Sequence, residues 1–138
     1  MANTLYPLLK TKLWQADLDL SAITMKAVLV DGDDYTYSAA HQFLSSVPAG
    51  ARVSSAVALT GVAFGQTGSL SYFDANDVVL PAVTGDTSEV IIIYNDTPGA
   101  ESAKDLIAYI DVFTVGAPVT PNGSDISVIW PAGGIATI

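Results

Sequence analysis

His41 is the only imidazole this sequence offers to catalysis. As a general base it needs an activated hydroxyl or thiol, and the chain has neither a cysteine nor a G-x-S-x-G elbow. With Ala39, Ala40 and Phe43 around it, His41 reads as a structural residue. Carboxylates are more plentiful: Asp31-Gly-Asp-Asp34 and the pair Asp74 and Asp77 are the residue types that glycoside hydrolysis or a hard cation requires. Asp beside Gly is also ordinary turn chemistry, the carboxylate accepting backbone N–H bonds. An EF-hand spacing fails, because Tyr35 stands where a third ligand belongs and no Glu closes the loop. Asp31, Asp33 and Asp34 therefore remain weak metal candidates. Gly61, Gly65 and Gly68 match no phosphate-cradling loop and no Lys follows them. The expectation is a chain without catalytic residues, metal or cofactor.

Charge narrows the partners. Fourteen acids against five cations give a formal net charge of −9, and Lys10, Lys12, Lys26, Arg52 and Lys104 are scattered, so neither nucleic acid nor an anionic membrane surface is expected. The most apolar run, Val90 to Tyr94, falls far short of the ~18 residues a spanning helix needs, and the start lacks the h-region of a signal peptide. Charged residues make up only 14%, against a typical ~25%, and mean hydropathy is +0.42. Either a Thr/Ser-rich surface or a surface covered by other subunits accounts for that combination.

The elements that must position these residues read as mainly β. Thr4 to Ala16 predicts a short amphipathic helix, with Thr4 as cap, Pro7 in its first turn, and Leu5, Leu8, Leu9, Leu13 and Ala16 at helical spacing. Ile23 to Val30 predicts a strand covered in part on both faces, and Ser38 is expected to cap a short internal helix reaching Leu44. Further strands are expected at Arg52 to Thr60, Leu70 to Phe73, Val78 to Val83, Glu89 to Tyr94, Leu106 to Val112, Asp125 to Trp130 and Gly134 to Ile138. The Gly61 to Gly65 stretch reads as flexible, Gly116-Ala-Pro118 as a break, and Pro81 as an edge or bulge. Short strands at this spacing predict an antiparallel β-sandwich or partly closed barrel, a single domain in which residues 1–20 form a helical arm and residues 21–138 the β-domain.

Several segments together resemble a family of small proteins encoded among the structural genes of tailed bacteriophages. They are Tyr35-Thr-Tyr-Ser38 through Phe43-Leu-Ser-Ser-Val-Pro-Ala-Gly-Ala-Arg52, Phe73-Asp-Ala-Asn-Asp-Val78, Ala82-Val-Thr-Gly-Asp86, Ile93-Tyr-Asn-Asp-Thr97, Leu106-Ile-Ala-Tyr-Ile-Asp111 and Pro118 to Ile126. The departure is at the end, where Pro131-Ala-Gly-Gly-Ile-Ala-Thr-Ile138 replaces a polar, Asn-rich tail. The resemblance implies a non-enzymatic virion protein, assembled in the host cytoplasm, that decorates or cements the head shell. A tail, collar or fibre-associated protein that binds a receptor or glycan is the alternative. The major capsid protein or another virion structural protein is then the expected partner, and a homotrimer the expected state on the particle. Leu5, Leu8, Leu9, Leu13 and Trp14 of the arm are the expected contact.

Overall fold

The computed structural model describes residues 3–115 and 117–138. Met1 and Ala2 of the expected arm, and Gly116 of the expected break, lie outside the described residues.

The chain is mainly β, and every strand pairing is antiparallel. Its elements are β1 (Thr4–Leu5), α1 (Pro7–Trp14), β2 (Met25–Val30), β3 (Val57–Ala58), β4 (Ala63–Thr67), β5 (Leu70–Asp74), β6 (Val78–Leu80), β7 (Val90–Asn95), β8 (Leu106–Ile110), β9 (Ile126–Val128) and β10 (Ala136–Thr137). A five-stranded sheet in the order β1-β8-β7-β2-β3 forms the centre, beside a three-stranded β10-β5-β4 sheet and a β6-β9 pair. The arrangement is sandwich-like and leaves sheet edges open. Every residue of β7 is buried, as are nearly all of β2 and β8, which is why these segments read as continuous apolar runs.

One face of the central sheet carries Tyr109, against which Tyr35 and Tyr37 pack with ring centroids 6.5 and 5.3 Å away. The opposite face carries Leu5 and its cross-strand partner Ala108, and Leu5 looks across to Phe73 and Ala136 of the three-stranded sheet. Pro81 directly follows β6 and ends it, as the missing N–H requires.

Three local expectations are corrected. Thr4 does not cap a helix: Thr4 and Leu5 pair with Tyr109 and Ala108 of β8, and the helix starts at Pro7. The residue before a proline is pushed out of the helical region, and Tyr6 is indeed extended at φ −64°, ψ 135°. The helix stops at Trp14 in a Schellman turn, Asp17 N–H donating to Lys12 O and Ala16 N–H to Leu13 O, with Ala16 at φ 54°. No internal α-helix follows Ser38. Its hydroxyl accepts from Ala40 N–H to make a single turn, and the segment beyond bonds to the chain around Asp105 instead: Leu44 N–H to Lys104 O and Leu106 N–H to Gln42 O. Arg52 to Thr60 is extended but broken, pairing with β2 near Arg52 and again at Val57–Ala58. The Gly61 to Gly65 stretch enters a regular strand, β4, paired with β5 through a two-residue loop led by Gly68 at φ 61°.

Candidate docking surface

The expected arm does not hang free. Leu5 is 3% exposed and Leu9 2%, so both belong to the chain's own core and neither is available to a partner, a correction forced by the pairing of β1 into the central sheet. Tyr6 between them is fully buried. Leu8 and Leu13 are half-buried, and Trp14 alone stands out at 85% exposed.

Trp14 and Leu13 lead to a groove the sequence did not reveal. Its volume is about 840 Å³, and its walls include Leu13, Leu18 and Leu20 on one side and Phe64, Phe73 and Ile138 on the other. The floor follows from strand register. Phe64 stands opposite Phe73, and Phe73 opposite Ala136, so all three share one face of the three-stranded sheet. Phe73 is 3% exposed and Ala136 4%, whereas Phe64 is 49% exposed. The face that closes the core at Phe73 thus continues outward along the β4–β5 hairpin without a cover. Beyond it Gln66, Thr67, Leu70 and Ser71 are exposed as well. Gly65 has a defined reason for lacking a side chain: Tyr72 lies across it, and a Cβ would meet its hydroxyl at 2.5 Å and its ring at 2.6 Å.

The one charged residue among the described lining of the groove is acidic. Asp19 lines it and is held ionised by hydrogen bonds from the Ser21 hydroxyl and N–H at 2.6 and 2.9 Å, which push its carboxyl below the usual range. The cations are engaged elsewhere: Lys12 with Asp105, Lys26 and Lys104 with Asp96, and Arg52 with Glu101. Lys10 is the one described cation outside an ion pair.

The residues singled out for chemistry fall in two other places. Asp31 and Asp34 converge with Asp86, their nearest carboxylate oxygens within 4.8 Å of one another. Asp33 is not part of the group, its N–H instead donating to Asp31 Oδ1. Asp86 joins from a turn 52 positions after Asp34, a proximity no local spacing could signal. These oxygens are of the type a hard cation takes, and Gly32 N–H is already bonded to a fourth acid, Glu89. His41 accepts or donates at Nδ1 to Tyr35 Oη at 3.0 Å, and Tyr35 Oη bonds in turn to Tyr6 Oη at 2.8 Å. Burial, then the bond to Tyr35, raises the Tyr6 phenol far above its ordinary range, and burial raises Tyr35 as well, so both phenols stay neutral in the aromatic layer. No Ser or Thr hydroxyl among the described residues bonds to His41. Asp77 Oδ1 accepts from Trp130 N–H and Asp74 Oδ1 from Ala75 N–H, both fixing backbone.

No helix among the described residues is long and apolar enough to cross a membrane. No family model and no curated protein matches the chain.

Proposed function

We propose that this chain is a non-enzymatic structural protein of a tailed-phage particle, docking on a neighbouring virion protein as a decoration or cement subunit of the head shell. The sequence resemblance supports the phage assignment. One observation carries the docking: Phe64, on the same sheet face as the buried Phe73, is left half-exposed beside Leu13 and Ile138 in an open apolar groove. β4 is tied to its sheet only through β5, and cover by a neighbour supplies the missing side of its face. Cementing asks only for a rigid fold and many identical weak contacts, whose effective concentration rises once the lattice exists. Copies then follow the shell's local symmetry, a trimer at a three-fold position.

The test is to add purified protein to particles assembled without it. The wild-type chain should co-sediment, and a Phe64→Asp variant of unchanged thermal midpoint should not. A particle map with density at the tail or collar instead of the shell would replace the decoration role with the alternative one. Equal binding by the variant would remove the groove from the interface.

A further inference from the structure

The open edge of β4 offers more than an apolar face. On β5, Ser71 exchanges both backbone bonds with Ile138, at 3.1 and 2.8 Å, and Phe73 O accepts from Ile135 N–H at 2.9 Å. Ser71 and Phe73 therefore direct their peptide groups toward β10. In an antiparallel ladder the residues opposite them form the non-hydrogen-bonded pairs. Those residues are Gln66 and Phe64, so their N–H and C=O groups face away from β5, along an edge where no described strand pairs. Natural sheets protect such edges with charge, proline or a bulge. Ala63-Phe-Gly-Gln-Thr67 contains none of these and pairs in regular register.

We infer that β4 receives an added strand from a different protein, an extended segment with alternating apolar residues that carries Lys or Arg to meet Asp19 at the groove. This inference rests on the docking role proposed above and names the chemistry of its partner. Backbone bonds to Phe64 and Gln66 supply the pairing, and alternate side chains of the added strand fall on the groove face beside Phe64. Charge argues against a second copy as occupant. Each copy carries −9, and apart from Lys10 its described cations are already in ion pairs, so a copy has little to offer Asp19 at the groove.

Gln66→Pro deletes the outward N–H and places a ring on the edge without touching the bonds to β5, a position where proline is tolerated. Gln66→Ala keeps the N–H and is the control for the side chain, whose Nε2 donates only to Gly68 O. Both variants should fold with the wild-type melting profile. On particles lacking the protein, the alanine variant should bind like wild type and the proline variant about tenfold or more weaker, the scale of one or two lost backbone bonds. Equal binding by the proline variant overturns the added strand while leaving the docking role intact.

A probe independent of the particle is a short synthetic peptide of alternating valine and threonine with lysine at each end. It should slow amide exchange at Phe64 and Gln66, and its glutamate-ended counterpart should not. Equal protection by the two peptides overturns the cationic partner. Particles that fail to bind wild type while the lysine peptide protects these amides overturn the docking role and keep the edge; failure of both overturns both. A wild-type dimer in sedimentation velocity that Gln66→Pro abolishes makes a second copy the occupant and overturns the assignment to a different protein.

Discussion

Leu9→Ala separates a helix that belongs to the core from one lent to a neighbour. Leu9 is 2% exposed, in the first turn of α1 and four residues from Leu5 of the β1 pairing. Removing its side chain forfeits transfer energy and leaves a cavity bounded by the central sheet, a loss of about 2–5 kcal/mol. With a urea slope of about 2 kcal/mol/M, the unfolding midpoint should fall by roughly 1–2.5 M. Whole-domain stability is about 5–15 kcal/mol, so a chain beginning at Asp17, which loses Leu5, Tyr6 and Leu9 together with the β1–β8 bonds, should have no cooperative transition. Trp14→Ala on the same helix should change stability by no more than about 0.5 kcal/mol, since Trp14 is 85% exposed. Circular dichroism against urea measures all three. A wild-type midpoint for Leu9→Ala, or a cooperative melt of the shortened chain, would refute the assignment of α1 to the core and restore the free arm.

The remaining predictions concern strain and charge. Ala16→Gly should stabilise the fold by about 1 kcal/mol in a thermal melt, because Ala16 sits at φ 54°, where a Cβ is disfavoured. Asp86→Asn in chelator-treated protein should stabilise by up to about 1 kcal/mol at low salt, the repulsion of unit charges 4.8 Å apart in water; destabilisation by the same substitution in calcium-containing buffer, absent after chelation, would instead mark a cation held by Asp31, Asp34 and Asp86. Hydrogen bonds from Lys104 and Lys26 hold the Asp96 carboxyl below its ordinary 3.8, so this stabilisation is present above pH ~4 and is lost as pH falls through the lowered value. Asp96→Asn should accordingly destabilise by about 1 kcal/mol at neutral pH, with the gap to wild type closing in urea melts below pH 4.

The strands that run through the middle of the molecule were legible because burial on both faces leaves a plain mark: Met25–Val30, Val90–Asn95 and Leu106–Ile110 are apolar runs bounded by Asp, Asn or Gly. The ends of the chain misled for a physical reason. Leu5, Leu8, Leu9 and Leu13 have helical spacing, but Tyr6-Pro7 breaks the run into a strand and a helix, and both bury leucines inward. Around Phe43 the local preference of Ala39 and Ala40 lost to backbone bonds with Lys104 and Leu106, partners some sixty residues away. The groove was not legible at all. Its walls come from Leu13 to Leu20, the β4–β5 hairpin and Ile138, and Phe64 lay in a glycine-rich stretch that reads as a loop.

Low charge and a mean hydropathy of +0.42 left two readings open, and the structure reduces them to a local question. Much of the apolar content is consumed inside, in β2, β7 and β8. Val115 and Ile129 face one another across an isolated bridge and form a small exposed pair, and Val79 and Val112 are exposed as well, an ordinary feature of a folded surface. Phe64 and Ile138 differ because they flank one groove with Leu13 and Leu18. The comparison that matters is between Phe64 and Phe73, the same residue type in direct cross-strand register on one sheet face, at 49% and 3% exposure. Inside the body that face is closed by the chain's own Leu5; on the hairpin the same pattern runs on without a cover. A sheet face patterned for burial, bordered by an unprotected edge and with Asp19 in the groove wall, has the properties of half an interface, and the strand proposed to complete it is apolar where this face is apolar and basic where Asp19 stands.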